Sequence, residues 1–232
     1  MRKRFLIPWM VLVTLVLLVN LMSPNLQELV RRVNPAVVKI EAVNEWGEVW
    51  SGSGVIVHER GLILTAKHVI EDSNDIEVIL ADGRRFKVIN KIVDPNNDVG
   101  IVHIAPLEDL PVIKFGGDVQ VGEDVFIIGS PYGIFNSVSL GIVSKIGIIA
   151  PYFGIDPMIQ LDIAGNPGNS GCGTFNFKGK LVGILVGGVY GADGIAIITH
   201  REVCGRLLED YVRSPHAVAT AQLQKKGKRI YK

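Results

Sequence analysis

Short runs rich in valine and isoleucine, separated by residues that favour turns, fill the chain from Ala36 to Ile198. Glycine, aspartate and asparagine stand between the runs, as at Arg60-Gly61 and Asp82-Gly83. No long segment with helical periodicity interrupts them, whereas an α/β layer fold needs a helix between most strands. Many short strands joined by turns are typical of antiparallel sandwiches and barrels. The sequence therefore predicts an all-β domain.

Helical patterns appear only at the two borders of this region. Before it, Asn25 is a capping residue, Glu28 follows three positions later, and apolar residues recur at near-helical spacing, so residues 23–35 are predicted to form a linker helix. After it, Thr199 and Glu202 form a capping box ahead of a segment with one apolar face. A carboxyl-terminal helix is therefore expected to close the domain.

The two ends of the chain differ in composition from the middle. Residues 1–22 contain three basic residues near the start, followed by eighteen uncharged ones, close to the roughly 20 residues that cross a bilayer as a helix. Because basic residues favour the cytoplasmic side, we expect a single-pass transmembrane anchor with a cytoplasmic amino terminus and an extracytoplasmic domain, periplasmic or extracellular. A cleaved secretory signal and a buried helix of a soluble domain are the alternatives, although no small-x-small cleavage pattern precedes Pro24.

The globular domain is then expected to span residues 36–213. Residues 214–232 contain a cluster of lysine and arginine and are predicted to be a basic, disordered tail. Such a tail is either solvated or in contact with anionic lipid or another chain.

The overall composition argues against several classes of function. The formal net charge is +1, which gives no basic surplus for a nucleic acid, and 48% hydrophobic residues suffice for a well-buried core. Two cysteines, Cys172 and Cys204, are too few for a disulfide framework, although an extracytoplasmic location leaves one bond between them open. The histidines lack the paired spacing of a metal site, so neither a metal nor a cofactor is expected.

Three segments carry residues suited to acyl transfer. His68 follows an apolar strand, Asp98 precedes another, and Ser170 lies in a glycine-rich turn. A serine hydroxyl is a poor nucleophile at neutral pH, so it needs an imidazole to accept its proton and a carboxylate to orient that imidazole. The sequence offers all three groups in separate apolar surroundings.

Two other residues could take the roles of Asp98 and Ser170, and the glycines around Ser170 add a possible oxyanion hole. Asp94 is a second candidate carboxylate, but it precedes a proline; Cys172 is a second candidate nucleophile, but Ser170 occupies the centre of the turn. The glycines permit a tight turn that points backbone N–H groups into one concavity, so the N–H groups of Gly168 and Ser170 are predicted to form an oxyanion hole.

Five blocks together resemble the chymotrypsin-fold serine proteases of the HtrA/Deg family, in the family's order, over a range from about Val33 to Thr199. The blocks are Ser51-Gly52-Ser53-Gly54-Val55-Ile56, Leu64-Thr65-Ala66-Lys67-His68-Val69, Asn97-Asp98-Val99-Gly100-Ile101-Val102, Ile128-Gly129-Ser130-Pro131-Tyr132-Gly133 and Asn166-Pro167-Gly168-Asn169-Ser170-Gly171.

The resemblance implies two perpendicular six-stranded antiparallel β-barrels with the site in the cleft between them. It implies a serine endopeptidase of polypeptides, acting in protein quality control, with His68 as general base and acid, Asp98 as its orienter and Ser170 as the nucleophile that forms an acyl-enzyme. It also implies a homotrimer. Family members carry PDZ modules after the protease domain, and too few residues follow Thr199 for one, so the protease domain alone is expected.

By the same resemblance, Ala164, Gly165 and Val186 line the pocket for the substrate side chain next to the scissile bond. None of them carries a charge, which favours small or medium apolar side chains over lysine or arginine. Asp162, the nearest acid, is expected outside the pocket.

One departure from the family pattern affects the site. The family continues after the serine with Gly-Pro, whereas this chain has Gly173 at the proline position, which predicts a looser turn around the oxyanion hole. A catalytically silent relative that binds unfolded or extended polypeptides in the same cleft therefore stays an alternative. A second alternative, an α/β-hydrolase esterase that uses Ser170, Asp193 and His200 in that order, needs a βαβ alternation that the sequence lacks.

Overall fold

The computed structural model describes residues 25–44, 46–189 and 191–214. The predicted anchor and nearly all of the predicted tail lie outside these residues. Within them, no helix has both the length and the apolar composition to cross a membrane.

Thirteen strands and three helices make up the described part of the chain. The helices are α1 (Leu26–Val33), α2 (Lys67–Ile70) and α3 (Arg201–Arg213), with short 3-10 turns at Asn34–Ala36 and Pro131–Gly133. The strands are β1 (Val37–Val43), β2 (Val49–His58), β3 (Leu62–Thr65), β4 (Asp75–Leu80), β5 (Arg85–Lys87), β6 (Asn90–Val93), β7 (Gly100–His103), β8 (Asp124–Gly129), β9 (Ser137–Ile148), β10 (Met158–Asp162), β11 (Gly173–Asn176), β12 (Leu181–Gly188) and β13 (Ile195–His200).

The amino-terminal strands form one antiparallel sheet in the order β5-β4-β1-β2-β3-β7-β6. The predicted closed six-stranded barrel is therefore wrong for this half: the sheet has seven strands, and its edge strands β5 and β6 do not pair. The reason lies in the two residues between those strands, since the Val88 N–H donates to Ile76 O in β4 and the Ile89 N–H donates to His103 O in β7. The bend at Val88 and Ile89 thus bonds to β4 on one side and to β7 on the other. Strands β5 and β6 are therefore joined through the covalent chain and not through hydrogen bonds between them.

The carboxyl-terminal strands form a closed barrel in the order β10-β13-β12-β11-β8-β9, which confirms the prediction for this half. Its interior is filled by buried apolar side chains that alternate along the strands, including Val125, Ile127, Leu161 and Ile198. A second and larger core continues from the seven-stranded sheet to the outer faces of β8 and β12, where Phe126 and Ile184 are buried. The all-β fold is confirmed, and the perpendicular arrangement of the two units stays a prediction.

The border helices tie the two units together. In α1, Asn25 caps the first turn by accepting from the Glu28 N–H at 2.9 Å, as the sequence predicts. Arg32 of the same helix donates to Lys178 O at 2.8 Å, in the hairpin between β11 and β12. The predicted Thr199 cap of α3 is wrong: β13 continues through His200, whose Nδ1 accepts from the Glu202 N–H at 3.3 Å.

Candidate active site

His68 and Asp98 meet at one edge of the seven-stranded sheet. Strands β3 and β7 pair antiparallel with Thr65 opposite Gly100, so the residues just after β3 lie beside those just before β7. The His68 Nδ1 lies 2.6 Å from Asp98 Oδ2, and the His68 backbone N–H donates to Asp98 Oδ1 at 2.9 Å. The imidazole side chain is 44% exposed and the carboxylate 11% exposed. One carboxylate therefore fixes both the ring and the backbone of His68.

Lys91 supports the helix that carries His68. Its ammonium group donates to the carbonyl oxygens of Ile70, Glu71 and Ser73 at 2.6, 2.8 and 2.6 Å. These carbonyls lie at the end of α2, where helical carbonyls lack partners and a cation is favoured. Partial burial lowers the pKa of Lys91. Sequence analysis missed this residue, because a lone lysine in a strand gives no local signal.

Among the described residues, Asp94 forms no hydrogen bond or ion pair with His68. Its Oδ1 accepts from the backbone N–H groups of Asn96 and Asn97 at 2.8 and 2.9 Å, which fixes the turn before Asp98. The carboxylate beside the imidazole is thus Asp98, and Asp94 shapes the loop that presents it.

Ser170 is held from both units by backbone groups. The Ser53 N–H of β2 donates to Ser170 O at 2.8 Å, and the neighbouring Gly171 N–H donates to Leu185 O at 2.7 Å. The Ser53 hydroxyl donates to Gly168 O at 2.8 Å. The loop is therefore fixed mainly through main-chain atoms, and the serine side chain stays free for other contacts.

Some backbone N–H groups of residues 168–172, the loop that carries Ser170, donate hydrogen bonds within the protein, and others do not. Those of Asn169, Gly171 and Cys172 donate to Asn166 O, Leu185 O and Asn169 O. Those of Gly168 and Ser170 donate to no acceptor among the described residues.

The peptide between Pro167 and Gly168 has a fixed orientation. The Tyr132 N–H donates to Pro167 O at 2.8 Å, and the Gly168 N–H therefore points the opposite way, because the two groups of a trans peptide are antiparallel. Gly168 has φ +95°, and a Cβ there would lie 2.3 Å from Ser130 O. Only glycine fits this position in both conformation and space.

The serine loop abuts the start of α2. Gly52 lies between them, since a Cβ at Gly52 would fall 2.7 Å from the Val69 side chain and 3.0 Å from Ser170 O. A Cβ at Gly171 would fall 2.8 Å from the Ala66 nitrogen. The described residues contain no hydrogen bond between His68 and Ser170; His68 lines one cleft and Ser170 lines the neighbouring one.

A cleft of about 630 Å³ opens beside Ser170, and Ala164 and Gly165 are among the residues that line it. Their role in the substrate pocket stays a prediction. Val186 lines the neighbouring cleft with His68 and Asp98, while Leu185 and Gly187 line the cleft beside Ser170, so the predicted role of Val186 in the substrate pocket stays a prediction. Successive strand residues point to opposite faces, so a shift of one position along β12 changes the cleft.

One acidic residue, Asp193, lines the cleft beside Ser170, for which an uncharged lining was expected. Asp193, in the loop between β12 and β13, lies along the rim of the cleft beside Ser170, and the sequence-based description of an uncharged lining omitted it. Asp162 is exposed and does not line that cleft. The only cue to Asp193 in the sequence was its position in a glycine-rich turn.

The two cysteines are both free and fully buried. Burial raises the pKa of Cys204 to about 12 and raises that of Cys172 as well. Since a nucleophilic cysteine needs its thiolate form, Cys172 is a packing residue of the carboxyl-terminal barrel. Among the residues that the structure describes, no cluster of histidine, cysteine and carboxylate side chains could hold a metal ion.

The glycine at the family's proline position has a structural role of its own. A Cβ at Gly173 would lie 2.5 Å from Phe175 Cζ and 2.9 Å from Leu181 Cδ1. The ring of Phe175 is buried against that of Phe126, with centroids 5.4 Å apart. Aromatic packing therefore fills the space that a proline ring would need, so these neighbouring side chains leave room only for a glycine at position 173.

The esterase alternative is contradicted by the fold. Its proposed histidine, His200, caps α3 and lies 3.8 Å from Asp118 and 3.9 Å from Glu202. Every strand pairing within the two sheets is antiparallel, whereas an α/β-hydrolase is built on parallel strands with helical crossovers.

Comparison with known proteins gives one consistent result. A family model described as a trypsin-like peptidase domain matches residues 52–184. The probable periplasmic serine endoprotease DegP-like of Pseudomonas fluorescens is 45% identical over 135 residues, which are 57% of this chain and 28% of that protein. The corresponding protein of Marinomonas is 42% identical over 137 residues, which are 57% of this chain and 29% of that protein. The chain thus spans less than a third of the length of these relatives.

Two solved structures share the fold. The HtrA-type protease AlgW with a tripeptide is 29% identical, with a TM-score of 0.75, and the alignment covers 82% of this chain and 64% of that one. The serine endoprotease from Yersinia pestis is 30% identical, with a TM-score of 0.71, and the alignment covers 82% and 68% of the two chains.

Proposed function

This chain belongs to the trypsin-like peptidase family, and from that premise we propose that it is a serine endopeptidase that cleaves polypeptides. The observation that carries the proposal is the contact of His68 Nδ1 with Asp98 Oδ2 at 2.6 Å, in a cleft next to the one that Ser170 lines. An imidazole oriented by a carboxylate is what a serine hydroxyl needs to become a nucleophile.

In this mechanism Asp98 accepts a hydrogen bond from the protonated Nδ1 of His68, which leaves Nε2 free to take the proton of the Ser170 hydroxyl. The serine oxygen then attacks the substrate carbonyl carbon, and the oxyanion that forms accepts from the free N–H groups of Gly168 and Ser170. His68 returns its proton to the leaving amine, which leaves an acyl-enzyme. Water then releases the acyl group by the same transfers in reverse order.

The cleft beside Ser170 suits a small or medium apolar side chain. Ala164, Gly165 and Leu185 give it apolar walls, and the carboxylate of Asp193 stands at its rim. A buried acid in the floor would select lysine or arginine, whereas an acid at a solvated rim contributes little because water screens it.

Location and assembly belong to the same proposal. The chargeless segment of residues 5–22, with basic residues ahead of it, supports a single-pass membrane anchor with an extracytoplasmic protease domain. The matched relatives are named as periplasmic proteins, which agrees with that location. Assembly as a homotrimer and a role in protein quality control rest on the resemblance to the HtrA/Deg family.

The test is reaction of the full chain in detergent with a fluorophosphonate, which labels activated serines, beside Ser170→Ala and followed by intact mass. We expect one adduct on the parent protein and none on Ser170→Ala. An unlabelled parent that is folded and still binds an unfolded polypeptide would instead support the catalytically silent relative. Digestion of a labelled casein, with cleavage sites read by mass spectrometry, then tests the apolar preference.

A further inference from the structure

Asp98 receives a second contact, from the opposite unit of the molecule. The loop between β9 and β10, residues 149–157, reaches across to the turn that precedes β7. There the Asp98 N–H donates to Phe153 O at 2.7 Å, and the Ile155 N–H donates to Asn96 O at 3.2 Å. Asn97 and Gly154 form an isolated antiparallel bridge between the two segments. The backbone of Asp98 is thus held by the loop of the carboxyl-terminal barrel, while its side chain holds His68.

Side chains fasten this crossing at Asn97. The Asn97 Nδ2 donates to Asp156 Oδ2 at 3.1 Å, and the Asp156 N–H donates to Asn97 Oδ1 at 3.2 Å. Asn97 is only 4% exposed, so its amide needs partners in place of water. A Cβ at Gly154 would fall 2.5 Å from Asn97 Oδ1, which shows how closely the loop approaches.

Helix α3 completes the arrangement. Its Arg206 donates from Nη2 to the same Asp156 Oδ2 that accepts from Asn97. One carboxylate oxygen therefore joins three elements: the 149–157 loop, the turn before Asp98 and the carboxyl-terminal helix. The charged donor strengthens the contact and holds the carboxylate in the direction of Asn97.

We propose that Asp156, together with Asn97 and Arg206, is a positioning residue that sets the place of Asp98 and, through it, the ring of His68. The proposal rests on the proposed serine-protease function and adds residues that the three-residue site does not contain. Displacement of a catalytic group by about 1 Å costs up to about 100-fold in rate. Because Asp98 keeps its own contact with His68, loss of Asp156 is expected to shift rather than remove the carboxylate.

The main variant is Asp156→Ala in the full chain. We expect kcat for a peptide substrate to fall about 10-fold with KM nearly unchanged, because the loop acts on the chemical step. The matched control is Asp118→Ala, which also removes an aspartate bound to an arginine of α3, Arg201 at 2.6 Å, but touches no part of the Asp98 turn. The control is expected to keep the parent kcat.

A second measurement is independent of activity. The 15N shift of the His68 Nδ1 is compared in the parent, Asp98→Ala, Asp156→Ala and Asp118→Ala. We expect the Asp156→Ala signal to move from the parent value toward that of Asp98→Ala, and the control signal to stay in place. If the parent fails to react with a fluorophosphonate but shows this pattern, the proposed function fails while the positioning role stands.

Two variants guard against a folding defect. Arg206→Gln changes only an exposed partner and is expected to lower kcat about 3-fold in a folded protein, the scale of an exposed ion pair. The double variant Asn97→Ala with Asp156→Ala is expected to lose no more rate than the more severe single change, since each single change already removes the contact between Asn97 and Asp156. An unchanged kcat and His68 signal in Asp156→Ala, or additive losses in the double variant, would overturn the proposal.

Discussion

The two walls of the candidate active site, one with His68 and one with Ser170, are built by different means. On one wall, His68 is fixed by side-chain contacts to Asp98, and its helix by the ammonium of Lys91. On the other wall, the Ser170 loop is fixed by main-chain contacts with Ser53 and Leu185. The geometry around His68 thus depends on the charge and the donor or acceptor type of its neighbours. The geometry around Ser170 depends on backbone conformation and on the space available beside the glycines.

The difference indicates which substitutions each wall tolerates. A change that keeps the shape of a side chain but alters its donors will damage the His68 wall. A change that adds a single Cβ will damage the Ser170 wall, where Gly168 has no room for one. The first two of the following variants test this contrast and the third tests the pH dependence of the sheet that carries His68, from the largest expected effect to the smallest.

Asp98→Asn should have the largest effect. The amide oxygen of the new side chain can still accept from the His68 N–H, but its NH₂ group would then face Nδ1 and force the ring into the tautomer with its proton on Nε2. That ring cannot accept the serine proton, so kcat is expected to fall about 10⁴-fold, the size known for such triads. Asp94→Asn, which keeps its Oδ1 acceptor for Asn96 and Asn97, should lose far less. Equal losses in the two variants would contradict the assignment of Asp98.

Gly168→Ala should rank second. The added Cβ would lie 2.3 Å from Ser130 O and 3.0 Å from the Tyr132 nitrogen, so the peptide must move and its N–H is lost to the oxyanion. Loss of one such donor costs about 100- to 1000-fold in kcat.

Gly122→Ala is the matched control for that change. Gly122 has φ +87° and nothing within 4 Å of an added Cβ. It should lose about 1 kcal/mol of folding free energy from backbone strain alone and keep kcat. A fully active Gly168→Ala would show that the loop holds its shape without glycine.

His103→Gln should give the smallest effect, a change in pH dependence. His103 in β7 is 2% exposed; its Nε2 lies 3.1 Å from Arg60 O and its Nδ1 2.8 Å from the Tyr211 hydroxyl of α3. Burial lowers the pKa of His103, and the positive charges of Arg60 and His58 also lower it, against the contact with Arg60 O. The unfolded chain thus binds a proton below about pH 6.5 that the folded chain resists.

The folding free energy is therefore expected to fall as the pH drops below about 6.5 and to level off below the folded-state pKa. Glutamine cannot titrate, so His103→Gln should reduce this slope in urea unfolding at about pH 7.5 and 5.5, on either side of the unfolded-state pKa. The slope should not vanish, because burial also lowers the pKa of His58 and His200. An identical slope in parent and variant would show that His103 does not sense pH.

The glycine-rich turn and the strand borders of the site were readable from the sequence because they depend on neighbouring residues. Asn25 caps α1 as predicted, whereas the predicted Thr199 cap failed because β12 extends β13 by pairing Gly183 with His200. Val186 lies between Leu185 and Gly187 in β12 but lines the other cleft, because in a strand one residue is enough to reverse the face. The open first sheet was missed because no residue type marks the bend at Val88 and Ile89.

The sequence alone determined which chemical groups the chain carries and that it forms many short antiparallel strands. The tertiary structure alone decided that Thr65 lies opposite Gly100, that Ser53 holds Ser170, and that Phe153 O holds Asp98 across the cleft. The last two contacts use main-chain atoms, which every residue type possesses, so no choice of side chain indicates them. They join residues far apart in the chain, and only the folded arrangement of the two units brings those residues together.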